Sequence, residues 1–176
     1  MLVKIERVFM RLNRFIGRIL AILLLLMVIN VFYDVVMRYF LHNSSVAMQE
    51  MEWHIFSVMF LFGISVALLD EGHVRVDFLY DRFSIRSKAI INIIGTILFL
   101  VPLALLVLFG SLDYVVDSYE IQEISEDPGG LPYRWLIKVM IPLSFGYLIF
   151  CSLGYTVKQI NLLRNLSGDN QAEGGR

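Results

Sequence analysis

Four long blocks of apolar residues alternate with short polar segments along the chain. The first block has an uninterrupted apolar centre from Ile19 to Ile29. A helix of roughly 20 mostly apolar residues is long enough to cross a hydrocarbon core of about 30 Å. We expect such helices at about residues 15–40, 47–69, 88–113 and 131–157. The pattern therefore predicts an all-α integral membrane protein with four transmembrane helices.

The four blocks leave little of the chain for a separate soluble domain. Apolar residues make up 57% of the sequence and charged residues 18%, against roughly 45–50% and 25% in soluble domains. We expect one membrane domain over residues 1–166, followed by a polar, glycine-rich tail, residues 167–176, that is disordered. The first block continues to about Tyr33 without a small-residue cleavage site. It is therefore read as a retained helix rather than a signal peptide.

Basic residues concentrate in alternate polar segments. They crowd before the first block, recur between the second and third blocks, and recur after the fourth, whereas residues 113–133 contain no Lys or Arg. Residues 113–127, here called the acidic segment, carry several Asp and Glu residues instead. Because short cytoplasmic segments are enriched in Lys and Arg, both termini are expected in the cytoplasm. The acidic segment is then expected on the outer side.

Six charged side chains lie near the outer ends of the first, second and fourth helices: Asp34, Arg38, Glu50, Glu52, Arg134 and Lys138. Charges within membrane segments are costly, so each one needs an explanation. They could pair with one another at headgroup level and fix helix packing. They could face another membrane subunit or an extracytoplasmic partner. They could also line an ion path, although the inner halves of the helices do not continue one.

No arrangement of residues indicates catalysis or metal binding. The sequence has no Ser-His-Asp arrangement, no glycine-rich phosphate loop and no metal-ligand spacing, and its single cysteine, Cys151, cannot form an internal disulfide or a zinc site. A bis-histidine haem needs two histidines on facing helices at similar depth. The expected positions of His42, His54 and His73 provide no such pair. We expect no enzyme activity and no cofactor in this chain.

Several short motifs appear in a fixed order along nearly the whole chain. They are Arg38-Tyr39, Gln49-Glu50-Met51-Glu52-Trp53-His54, Gly63, Gly72-His73-Val74-Arg75-Val76-Asp77, and Pro128-Gly129-Gly130-Leu131-Pro132-Tyr133-Arg134-Trp135 with Pro142. In this order, on a four-helix chain, they resemble the DctQ family. That family is the small membrane subunit of tripartite ATP-independent periplasmic (TRAP) transporters. Each motif is weak alone, and their combination is fairly specific.

The resemblance implies a role in secondary transport of organic acids across a bacterial inner membrane. A soluble periplasmic binding protein would deliver the substrate, often a carboxylate. A large permease subunit would hold the substrate and sodium sites and use the ion gradient without ATP. The small subunit would be a multi-pass scaffold in the lipid bilayer that packs against the large subunit and helps dock the binding protein. No nucleic acid is implied.

The resemblance also suggests where the contacts lie. Glu50, Glu52, Arg134 and Lys138 are expected to help fix the contact with the large subunit or the binding protein, and Asp34 and Arg38 are further interface candidates. The family motif Gly72, His73, Arg75 and Asp77 has no role that can be assigned from the residues. Two alternatives remain open at this point: a membrane-anchor subunit of a respiratory enzyme and a stand-alone small transporter. The sequence does not identify the substrate.

Overall fold

The computed structural model describes residues 2–70 and 83–173, with side chains for residues 4–70 and 83–166. This part of the chain is helical and contains no strand. Four of its helices are long and apolar enough to cross a membrane: Lys4–Phe40, Val46–Leu69, Ile85–Glu120 and Trp135–Leu166. The predicted fold class, an all-α membrane protein with four spans, is confirmed.

The helices of the described residues follow one another along the chain. They are α1 (Leu2–Phe40), α2 (Val46–Leu69), α3 (Ile85–Gly95), a π-helical turn (Thr96–Leu100), α4 (Val101–Gly110), α5 (Leu112–Glu120) and α6 (Trp135–Glu173). Together α3, the π-helical turn, α4 and α5 form the third span. Its π-helical turn directly precedes Pro102, whose ring and missing N–H disturb the regular hydrogen-bond ladder. The Val101 N–H instead reaches back to the Thr96 carbonyl.

Both terminal helices extend well beyond the predicted spans. Each has 39 residues, which corresponds to about 58 Å of helix, nearly twice the hydrocarbon thickness. The basic N-terminal flank thus continues α1 rather than preceding it. At the other terminus, α6 is helical as far as Glu173, inside the segment expected to be a tail. Disorder of residues 167–176 stays a prediction.

The last helix is the centre of the bundle. Helix α6 packs against α1, α2 and all parts of the third span, whereas α1 packs on α2 and the third span packs mainly on α6. The buried apolar core lies along α6 at Cys151 and Tyr155 and includes Leu68, Leu69 and Ala104 from α2 and α4. Many other large apolar side chains point outward, which suits helices surrounded by lipid or by partner helices.

Helices α1 and α6 pack tightly at Phe9 and Gly154. A Cβ atom added at Gly154 would lie 2.6 Å from the Phe9 ring, so a larger residue would push the two helices apart. Small residues commonly permit such close packing between membrane helices. We call this end of the bundle, where the two chain termini lie, the terminal end. The opposite end, which carries the connection from α5 to α6, is the loop end.

Candidate docking site at the loop end

The carboxylate of Glu50, in the second turn of α2, holds the segment that connects α5 to α6. Its Oε2 accepts a hydrogen bond from the Leu131 N–H at 2.5 Å, and its Oε1 accepts one from the Ser125 hydroxyl. The Ser125 N–H in turn donates to the Leu131 carbonyl at 3.2 Å. One acidic side chain therefore fixes both limbs of residues 121–134, here called the connecting loop, against α2.

Gly130 is required by the close contact between the connecting loop and Glu50. A Cβ atom at this position would lie 2.4 Å from the Ser125 side chain and 2.8 Å from Glu50 Oε2. The preceding Gly129 has a φ of +83°, a conformation that side chains other than glycine rarely adopt. Each of the two positions in the Pro128-Gly129-Gly130 motif thus requires glycine for a different physical reason. One permits the turn and the other permits the approach of the carboxylate.

Lys138 of α6 holds the other side of the connecting loop. Its Nζ forms an ion pair with Glu123 and lies 3.9 Å from the centre of the Tyr114 ring on α5. The Arg134 N–H adds a backbone bond to the Glu123 carbonyl at 3.0 Å. The hydrogen bond from Lys138 is the main reason why the pKa of the Glu123 carboxyl lies below its usual value.

Asp34 and Arg38 form a separate pair on one face of α1, as their four-residue spacing predicts. The Asp34 side chain is buried at 3% exposure, whereas Arg38 is 46% exposed. Asn30, one turn further in, donates to the Met48 carbonyl of α2 at 3.0 Å. Asn30 therefore connects α1 to α2, and the Asp34–Arg38 pair lies within α1, apart from the connecting loop.

Glu52 and Arg134 have different environments from the other four charged candidates. The Glu52 Oε1 is buried and accepts no hydrogen bond from the residues that the structure describes. The Trp135 indole N–H is also buried and donates to none of them. The Arg134 side chain is half-buried and lines a cleft between α2 and α6. The six charged candidates thus form local pairs and isolated groups rather than one network across three helices.

The structure gives these side chains partners that their sequence positions do not indicate. Glu50 is satisfied by a hydroxyl and a backbone N–H rather than by a cation. Lys138 pairs with Glu123, an acid of the acidic segment that was not among the candidates. The family motif Gly72, His73, Arg75 and Asp77 lies outside the described residues. Its role, and the docking role of the six charges, stay predictions.

A second polar cluster, at the terminal end, was missed from the sequence. Asn13 of α1 is fully buried and its Nδ2 donates to the Val66 carbonyl at 3.1 Å and to Asp70 Oδ1 at 3.2 Å. The Tyr147 hydroxyl of α6 donates to Asn13 Oδ1 at 3.2 Å. The spacing of the residues could have indicated this cluster, because Asn13 lies four residues after Phe9 and therefore on the same face of α1. This face packs against α2 and α6.

The two polar clusters lie at opposite ends of the bundle. Glu50 and Asp70 are 20 positions apart in the sequence, a distance of about 30 Å along a helix, which equals the hydrocarbon thickness. Along α6 the hydroxyl groups of Ser144, Ser152 and Thr156 donate to carbonyls of their own helix, whereas the buried Ser65 hydroxyl of α2 has no hydrogen-bond partner among the described residues. Such local bonds satisfy the α6 hydroxyls without joining the two ends. The described residues also contain no cluster of metal-binding side chains.

Comparison with known proteins identifies the family of this chain. Residues 27–162 match the family described as tripartite ATP-independent periplasmic transporters, DctQ component. The chain is also 23% identical over 149 residues to a protein of Haemophilus influenzae named as a TRAP transporter small permease protein. That match covers 82% of this chain and 89% of the relative. The chain therefore belongs to the DctQ family and is the small permease subunit of a TRAP transporter.

Proposed function

We propose that this subunit is a scaffold, with both termini in the cytoplasm of a bacterium and the loop end on the periplasmic side of the inner membrane. It holds the large permease subunit, which binds substrate and sodium, and presents a rigid loop to the periplasmic binding protein. The transported molecules are organic acids, mostly carboxylates. This chain itself binds neither substrate nor a cofactor.

The observation that carries this proposal is the way in which Glu50 and Lys138 hold the connecting loop. Both side chains are engaged inside the protein, Glu50 with Ser125 and Leu131 and Lys138 with Glu123. They are therefore positioning residues for the loop rather than direct contacts for a partner. A loop that is already ordered loses less conformational entropy when a partner binds.

The distribution of polar groups supports a scaffold over a transport path. Discontinuous helices and polar groups at mid-membrane are the usual marks of a substrate site in secondary transporters. The described polar clusters of this chain lie at the two ends of the bundle, and the hydroxyls of Ser144, Ser152 and Thr156 on α6 bond within their own helix. The broad apolar surface of the spans offers area for packing against a larger membrane subunit.

The test is reconstitution of the full transporter with and without the Glu50 contact. The large subunit, this subunit and the binding protein are placed in proteoliposomes, and uptake is measured with a sodium gradient. Glu50→Ala should lower the uptake that depends on the binding protein while the large subunit still co-purifies. Glu120→Ala, an exposed acid of α5, is the matched control. Uptake by Glu50→Ala equal to the wild type would contradict the positioning role.

A second measurement separates the scaffold from a stand-alone transporter. Proteoliposomes that contain this chain alone, with the same substrate and gradient, should show no uptake above protein-free vesicles. Adding the large subunit and the binding protein should restore it. Substrate flux through this chain by itself would overturn the scaffold proposal. An absorbance spectrum of the same preparation tests the respiratory-anchor alternative, which requires a haem band.

A further inference from the structure

A cleft of about 560 Å³ opens at the loop end between α2 and α5, with α6 as its floor. It exists because α2 and the third span both pack on α6 but not extensively on each other. Its volume lies within the range of roughly 300–1,000 Å³ that is usual for small-molecule sites. The cleft opens toward the surroundings of the bundle rather than being an enclosed cavity, so a ligand can enter it sideways from a membrane.

The floor of the cleft changes from charged to apolar along one face of α6. Arg134, Ile137, Lys138 and Ile141 line it, and their spacing of three and four residues places them on one helix face. From Arg134 to Ile141 the face extends about 10 Å along the helix axis. The charged end is at the loop end and the apolar end lies deeper in the membrane. This is the polarity of a phospholipid, from headgroup to acyl chain.

Helix α2 provides the wall with matching polarity. Phe56 and Phe60 lie on one face of α2 and stack at 6.3 Å between ring centres, and Ser57 and Leu61 complete this side of the cleft. Both rings are strongly exposed in the protein. They leave an apolar channel that reaches about 15 Å below Glu50, half the hydrocarbon thickness. An acyl chain of one leaflet has this depth.

The charged groups at the mouth of the cleft suit a zwitterionic headgroup. Lys138 and Glu123 already neutralise each other. Arg134 and Glu126 also line the cleft. Neither side chain forms an ion pair among the described residues, although the Arg134 guanidinium also interacts electrostatically with the carboxylates of Glu50 and Glu123. A guanidinium binds phosphate with a planar pair of donors, and a carboxylate accepts from a primary ammonium. A net anionic headgroup would leave Glu126 without a cation.

We propose that this cleft binds one phospholipid with a primary ammonium headgroup, its phosphate on Arg134, its ammonium on Glu126 and one acyl chain beside Phe56 and Phe60. The bound lipid fills the gap between α2 and the third span. This site is independent of the scaffold role, since it concerns the lipid that the chain itself retains from the membrane.

The test is native mass spectrometry of the full chain after exchange into defined lipids. Detergent-solubilised protein is incubated with phosphatidylethanolamine, phosphatidylcholine or phosphatidylglycerol, and the fraction that retains one lipid is measured. Phosphatidylethanolamine should be retained best. Phosphatidylcholine cannot donate a hydrogen bond to Glu126, and phosphatidylglycerol lacks the cation. Equal retention of the three, or a preference for phosphatidylglycerol, would overturn the headgroup assignment.

Variants locate the site. Arg134→Gln should weaken retention about tenfold, as expected for loss of a charge-assisted contact. Glu126→Gln, on an exposed loop position, should remove the preference for phosphatidylethanolamine over phosphatidylcholine without affecting folding. Ser57→Phe should fill the cleft and abolish retention. Phe99→Ala and Arg164→Gln, an apolar and a basic exposed residue elsewhere, are the matched controls. Retention by Ser57→Phe equal to the wild type would overturn the proposal.

Discussion

The carboxylate of Glu50 accepts a hydrogen bond from the backbone N–H of Leu131, 81 positions later in the chain, at 2.5 Å. With the second bond from Ser125, this contact makes the second helix the anchor for a loop that belongs to the other half of the protein. The anchor does not depend on a cation. Loss of these two hydrogen bonds should therefore increase the mobility of the connecting loop without breaking an ion pair.

Replacing Glu50 by Ala should release the connecting loop. The variant lacks the carboxylate that accepts from the Leu131 N–H and the Ser125 hydroxyl. A hydrogen bond to a charged group contributes about 1.5–3 kcal/mol to stability. Limited digestion with a glutamate-specific protease should cleave the connecting loop faster in the variant, and the melting temperature in detergent should fall. Glu120→Ala should match the wild type in both assays. Protease resistance in Glu50→Ala would contradict the anchor.

Gly154→Ala should destabilise the contact between α1 and α6. The new methyl group would lie 2.6 Å from the Phe9 ring, and overpacking of this kind costs about 1–3 kcal/mol. Gly63→Ala is the matched control, because a Cβ there meets no atom within 4 Å. The double variant Phe9→Ala/Gly154→Ala should cost less than the two single effects added together. Additive costs would show that the ring and the glycine do not interact.

The ion pair between Glu123 and Lys138 should make stability depend on pH in the acid range. The pKa of Glu123 is lowered in the folded protein, whereas an unfolded glutamate titrates near about 4.3. The unfolded state therefore binds more protons between the two pKa values, and stability rises with pH there. The contribution is complete above the unfolded pKa and is lost as pH falls through the folded one.

This dependence can be measured as the melting temperature of the wild type minus that of Glu123→Gln between pH 7 and pH 3. The difference should be largest at neutral pH and should shrink as the solution is acidified. Lys138→Met should remove most of it, since the hydrogen bond from Lys138 is the largest cause of the shift. A difference that grows on acidification would show that the sign is wrong.

Asn13→Ala should destabilise the terminal end of the bundle. Asn13 is fully buried and makes hydrogen bonds with Val66, Asp70 and Tyr147, each contributing about 1 kcal/mol. Tyr147→Phe removes one of these bonds and should cost less. Asn165→Ala, at an exposed position of α6, should have little effect. The comparison is made by thermal unfolding in detergent, and equal melting temperatures for all three variants would contradict the cluster.

The predicted topology can be tested by cysteine labelling. In a Cys151→Ala background, Glu120→Cys should react with a membrane-impermeant maleimide in spheroplasts, in which the outer membrane is removed and the inner membrane is intact. Arg164→Cys should react only after the inner membrane is opened. The reverse pattern would place the connecting loop in the cytoplasm, and the proposed contact with a periplasmic protein would then be impossible.

The four spans could be predicted from the sequence because a helix that spans the membrane requires a continuous block of apolar residues, and such a block is visible in the sequence. Their outer parts were harder. The helix at the N-terminus continues through Arg7 and Arg11 to Leu2, because helix formation is compatible with basic residues outside the hydrocarbon. Hydropathy identifies only the part of the helix that lies inside the hydrocarbon core.

Pairing between side chains could be predicted only where it is local. Asp34 and Arg38 lie four residues apart on one helix, and they form the expected pair. The partners of Glu50 come from a loop whose path is set by its own glycines, and a backbone N–H leaves no mark in a sequence. Asn13 lies between Arg11 and Arg14 in the basic flank, yet the tertiary fold buries it completely.

The central position of α6 has a consequence for how the protein is made. The third span packs mainly on α6, which is the last of the four spans to leave the ribosome. Until that helix enters the bilayer, the third span lacks the helix of its own chain on which it mainly packs. Assembly therefore has to finish from the C-terminal side, and a chain that stops before Trp135 would leave its third span unattached in the lipid.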